Sequence, residues 1–151
     1  MKYLLLVLSI GLIASYNRGS AVKYANKHCK SYNPKYANYN PQGGDCANFV
    51  SQCLIAGGMN LKSMCGGKAA WGKGGTIPRV NDMRACFQRK GWSSSSSVPK
   101  DFKEGDVVLY SGHAVFAVKG YPKVLIAAHN DDRCGDPATY RSGAVYWHYK
   151  G

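Results

Sequence analysis

Residues 43–58 read GGDCANFVSQCLIAGG. Within them Cys46, Phe49, Val50, Cys53 and Leu54 recur at i, i+3, i+4, i+7 and i+8, the spacing of one face of an α-helix. Gly57 and Gly58 follow where a helix ends most easily, because glycine leaves the right-handed region without steric cost. The stretch predicts an amphipathic helix that opens at Cys46. Asp45, just ahead of it, is placed to cap the helix with its carboxylate.

Upstream, AVKYANKHC (21–29) is helix-compatible, and SYNPKYANYNPQGG (31–44) breaks that pattern with Asn, Pro and Gly, so it reads as an ordered loop. Downstream, 61–78 looks irregular, and NDMRACFQRK (81–90) forms a second helix pattern that stops at Gly91. Ser93 to Ser97 form a polar surface stretch with no assigned role. From Gly105 the period changes to two: DVVLY, HAVFAVKG, KVLIAAHN and AVYWHY are rich in β-branched and aromatic residues and are separated by turn-forming SG, GYP and DDRCGDP. Four antiparallel strands are expected after the helices, an α+β layout in one domain without internal repeats.

The chain has 151 residues, a length that suits one modest core. With 45% apolar and 19% charged residues it is neither a disordered acidic tail nor a multi-span membrane protein. Met1 and Lys2 precede YLLLVLSIGLIAS, an apolar run too short to span a bilayer comfortably and ending in small residues. Residues 1–15 are therefore expected to be a secretory signal, with a domain from 16 to 151; a buried N-terminal helix is the alternative.

Secretion places the six cysteines in an oxidising compartment, where thiols pair. No CxxC or HxxxH spacing supports a structural zinc site, so neither a metal nor a cofactor is expected. If all six pair, no thiol is left for chemistry. If Cys46 stays free, Cys53 on the same apolar face is the candidate for a second, buried thiol. Cys29, Cys65, Cys86 and Cys134 then form two bridges in one of three ways.

A cysteine at a helix N-terminus meets free N–H groups and a partial positive charge, both favouring the thiolate. Opening an apolar stripe or closing a disulfide is its structural alternative. His113 stands after the Ser111–Gly112 turn at the head of an alternating strand, so its imidazole is expected at the mouth of the sheet. Histidine is the usual base near neutral pH, and a cysteine nucleophile needs such a base plus a third group to hold the ring. His129 or Asn130, both at the end of the next strand, could supply that group. His28 and His148 have no partner motif and are read as structural.

The block VKYANKHCKSYNPKYANYNPQGGDCANFVSQCL (22–54) resembles the family described as putative amidase of papain-like fold, related to NlpC-type and CHAP enzymes. FKEGDVVLYSGHAVFAV (102–118) is similar to the strand pair that brings the family's histidine, and AAHNDDR (127–133) to its late His-polar-Asp-Arg segment. The resemblance implies a papain-like fold in which helices pack on a small antiparallel sheet. It also implies a catalytic set of Cys46, His113 and His129, with the Cys46 backbone N–H donating to the oxyanion. Tyr39, Asn40 or Gln42 would supply a second donor.

The formal net charge is +12, about +11 once Lys2 is removed, which favours anionic partners. The basic residues are scattered and form no nucleic-acid module, so no nucleic acid is expected, nor stable membrane insertion. With the amidase resemblance, the expected partner is the acidic bacterial cell-wall peptidoglycan and the expected activity an antibacterial or wall-remodelling amide hydrolysis by a secreted monomer. The competing reading is a non-enzymatic, disulfide-stapled cationic protein that binds walls or membranes, which requires Cys46 to be oxidised.

Overall fold

A computed structural model describes residues 15–67 and 70–151. The expected signal segment therefore lies outside the described residues except for Ser15. Among the described residues four helices come first: α1 (Arg18–His28), α2 (Cys46–Ala56), the short α3 (Leu61–Cys65) and α4 (Val80–Arg89). Six strands follow: β1 (Ser93–Ser95), β2 (Val107–Tyr110), β3 (His113–Lys119), β4 (Leu125–Ala128), β5 (Arg133–Pro137) and β6 (Val145–His148). They form one antiparallel sheet in the order β1-β6-β2-β3-β4-β5, so the architecture is α+β.

The period-two alternation of β2 and β3 divides the core between the two faces. Val107, Leu109, Ala114 and Phe116 turn to the helices, while Val108, Tyr110, Val115 and Ala117 turn to the opposite face with Phe102, Ile126 and Tyr146. α2 lies between α1 and β3 and is buried all round from Cys46 to Leu54. Phe49, Val50 and Leu54 there are wholly inaccessible, each worth roughly 1.5–3 kcal/mol of apolar burial. Its polar residues are paired: Asn48 donates to the Ala37 carbonyl, Ser51 Oγ bonds the backbone of Ile77, and Tyr24 donates to Gln52 Oε1. Except at Asn48 Oδ1, which has no partner, this pairing lets a helix with polar residues on its second face sit at the centre of the molecule.

Three local expectations are corrected. Ser93–Ser95, read as a polar surface stretch and not counted among the strands, form the edge strand β1, because β6 offers its free edge and a polar strand can occupy it: Ser93 pairs with His148 and Ser95 with Tyr146. The segment 131–137, expected as a turn, contains β5, whose Cys134 pairs with Ala127 and whose Arg133 is pinned by Asp131 and Asp136. The 61–78 segment contains α3, capped by the Asn60 side chain on the Ser63 N–H. Hydrophobic periodicity carries little signal for such short or polar elements.

Two disulfides join these parts. Cys29–Cys134 ties the end of α1 to β5, and Cys65–Cys86 ties α3 to α4; Cys46 and Cys53 are free and buried. Among the described residues no helix is long and apolar enough to cross a membrane, and no group of three or more His, Cys, Asp and Glu could hold a metal ion.

Candidate active site

The approach to Cys46 is shaped by two glycines. Gly43 and Gly44 have φ of 107° and 135°, in the region that L side chains rarely adopt. A Cβ on Gly44 would also fall 2.8 Å from Asn130 Nδ2. The tight passage lets Asn130 Oδ1 accept the Asp45 N–H at 2.6 Å, so the end of β4 fastens the start of α2.

Asp45 occupies the cap position without capping the helix. Its carboxylate is spent elsewhere, which corrects the expected role: Oδ1 accepts from the Tyr39 N–H and the Asn48 amide, both at 2.9 Å, and Oδ2 pairs with His129 Nδ1 at 2.6 Å. His129 Nε2 faces the His28 carbonyl at 2.8 Å and, since a carbonyl only accepts, must carry a proton there. The imidazole lies between the rings of Tyr32 and Phe49, with centroids 3.8 and 3.9 Å away. Asp45 and His129 thus form a buried pair that joins the loop before α2, the end of α1 and the end of β4.

The Cys46 sulfur sits against the head of β3. The amide N–H groups of Ala114, Ala47 and Cys46 itself favour its anion, but burial outweighs them and pushes the thiol above its ordinary value, with Asp45 adding in the same direction. Desolvation thus opposes the activation expected from the helix terminus. His113, the residue before Ala114, is also buried, and burial lowers its pKa below 6.5, as do the nearby positive charges of Arg141 and Arg133. Both shifts favour the neutral forms of the thiol and of the imidazole at rest.

His113 is not bonded to His129 or to Asn130, since both His129 nitrogens are engaged with Asp45 and His28 and the Asn130 oxygen is on Asp45. Its Nε2 lies instead 2.9 Å from the hydroxyl of Tyr140. Tyr140 ends a 3-10 turn (Ala138–Tyr140) fixed by two bonds, Ala138 N–H to the Val124 carbonyl and Tyr110 hydroxyl to the Ala138 carbonyl. The Arg133 guanidinium covers the Tyr140 ring at 4.0 Å. Sequence reasoning passed over Tyr140, which lies in no strand and carries no motif.

A cleft of about 570 Å³ opens beside the thiol between residues 42–44 and the start of α4, lined by Gln42, Gly44, Cys46, Pro78, Arg79 and Asp82 among others. It shares Gln42, Gly44, Pro78 and Arg79 with a second chamber of about 340 Å³ that runs on to Tyr39 and Trp71. Of the three expected oxyanion side chains, Asn40 donates its amide to the Tyr32 hydroxyl and Tyr39 lies in the outer chamber, whereas Gln42 lines both chambers. Two further clefts, one at Met59–Lys62 and one at Tyr16 and His148, contain no cysteine.

A helix-borne cysteine with a strand-borne histidine on an α+β scaffold fits a hydrolase. Residues 15–150 match the family model described as “putative amidase domain”, and the chain belongs to this family, whose description is of amide hydrolysis. It is also similar to the uncharacterized protein YhbB of Bacillus subtilis (strain 168), 36% identical over 153 residues that cover 94% of this chain and 47% of the relative. The chain thus spans about half the length of that curated relative. No solved structure matches.

Proposed function

We propose that this protein is a secreted cysteine amidase or endopeptidase of papain-like kind, akin to NlpC-type and CHAP enzymes, that hydrolyses amide bonds in bacterial peptidoglycan. The observation carrying the reading is a free Cys46 at the first turn of α2, packed against the strand that begins with His113 and open to a cleft. The competing binder with three bridges requires an oxidised Cys46, and Cys46 is free.

In this reading His113 takes the thiol proton as the sulfur forms a bond to the substrate carbonyl carbon, and the carbonyl electron pair moves onto oxygen. The Cys46 backbone N–H and the Gln42 side chain meet that oxyanion. Collapse breaks the C–N bond, and His113 returns the proton to the departing amine. Water, deprotonated by His113, then cleaves the thioester, releasing a carboxylic acid and restoring the thiol. Tyr39 and Trp71 offer flat apolar surface to the substrate, and Arg79 offers a cation to its carboxylates. The two disulfides accord with an oxidising compartment, and the net charge of +12 with an acidic polymer.

The test is release of muropeptides from purified walls. Cys46→Ala and His113→Ala should each remain folded and lose release, thiol alkylation should inhibit the parent, and a metal chelator should not. Undiminished lysis by both variants would reject the reading.

A further inference from the structure

We propose that Tyr140 is the positioning residue of His113, holding the imidazole from its far side in the place expected for His129 or Asn130. The inference rests on the reading of Cys46 and His113 as nucleophile and base. It starts from an exclusion by hydrogen bonds: the two side chains on the neighbouring strand end are committed to Asp45 and to the His28 carbonyl. The described residues give the His113 ring one hydrogen-bonded partner, the Tyr140 hydroxyl, on Nε2.

A neutral phenol can donate or accept in that contact, and as the positioning residue Tyr140 accepts. With Nε2–H donating to the phenol oxygen, Nδ1 is left with its lone pair free to take the Cys46 proton. The imidazolium formed in the reaction then keeps a stronger hydrogen bond to the same oxygen. A carboxamide oxygen could only accept there, whereas the phenol can turn its hydroxyl either way, so the position of the ring proton is the observable that tests the role. Burial raises the Tyr140 pKa, so the phenol stays neutral at working pH and neither competes for the proton nor traps the imidazolium as an ion pair.

The phenol is itself held. Arg133 lies on its ring and is fixed by Asp131 and Asp136, while the disulfide at the adjacent Cys134 anchors the strand to α1. The charged and titratable groups around the imidazole are Tyr110 from β2 and Asp131, Arg133, Tyr140 and Arg141 from the segment beyond β4, and the Cys46 sulfur meets the backbone N–H of Ala114, the next residue along β3. Among these, Tyr140 alone is within hydrogen-bond distance of the ring.

The test needs no substrate. Intact-mass measurement of Cys46 alkylation by iodoacetamide across pH reads the base directly, and Cys53, fully inaccessible, should stay unmodified. His113→Ala should displace the parent profile to higher pH. Tyr140→Phe, which removes one oxygen and keeps the ring under Arg133, should move it the same way and slow alkylation at neutral pH by about tenfold, the scale of one lost hydrogen bond to a charged group. Asn130→Ala should keep the parent midpoint. In the unmutated protein, nitrogen NMR of neutral His113 should find the proton on Nε2. A Tyr140→Phe profile superimposable on the parent's, an Asn130→Ala profile displaced as far as that of His113→Ala, or a proton on Nδ1 would overturn the proposal. Inertness toward walls with these shifts intact would reject the substrate while leaving the positioning role standing. An unshifted His113→Ala profile would reject both.

Discussion

Replacing His129 by alanine separates a structural from a catalytic role for the histidine that the family resemblance places in the site. The side chain is about 1% exposed and removes two hydrogen bonds when lost, one to Asp45 Oδ2 and one to the His28 carbonyl. The deletion leaves the Asp45 carboxylate, also about 1% exposed, without its partner; breaking a buried pair in this way costs about 3–5 kcal/mol. It also empties the space between Tyr32 and Phe49, where each stacked ring contact contributes about 0.5–1.5 kcal/mol. A total loss of about 4–8 kcal/mol is expected, a large share of the roughly 5–15 kcal/mol that a domain has available. Urea or guanidinium unfolding followed by tryptophan fluorescence measures it, with a displaced midpoint and an unchanged slope. The reasoning would be refuted by a variant within about 1 kcal/mol of the parent that nonetheless fails to turn over substrate, since His129 would then act on the reaction and not on the fold.

Three other outcomes follow from the same structure. Burial and the charges of Arg141 and Arg133 lower the His113 pKa, and the base must be neutral to act, so the acid limb of kcat/KM should have its midpoint below the ordinary 6.5; a midpoint at or above that value would contradict this environment. Between the lowered folded value and 6.5 the unfolded chain holds the extra proton, so this residue makes stability rise with pH in that window. The disulfides should differ in weight: Cys29–Cys134 spans 105 positions and Cys65–Cys86 spans 21, for which loop entropy suggests about 4–5 and about 3 kcal/mol. Calorimetry on the paired serine variants should show the larger drop in Tm for the first, and the reverse order would count against the entropic argument.

Much of the scaffold is visible in local patterns. The α2 stripe, the alternation in β2 and β3, and the glycines flanking α2 each reflect a rule that operates within a few residues, and each element forms where its pattern lies. β1 and β5 were not visible, because a strand of serines and one built from RCGDP have no apolar alternation and form only when a neighbouring strand presents its edge. The role expected for Asp45 changed for a related reason. A carboxylate before a helix is a good cap in isolation, but here His129, brought in from 84 positions away, and the loop amides engage it first.

The amino-acid order by itself determined the α+β class, the helix that starts at Cys46 and the strand that starts at His113, since both depend on residue spacing within one element. Which group faces the imidazole was decided only by the tertiary structure. His129 is bonded to Asp45 and the His28 carbonyl, the Asn130 oxygen to the Asp45 N–H, and the turn after β5 places the Tyr140 hydroxyl on the His113 ring. Hydrogen-bond partners inside a folded chain are allotted by three-dimensional competition under burial, where an unpaired polar group is costly, and no one-dimensional spacing encodes that competition.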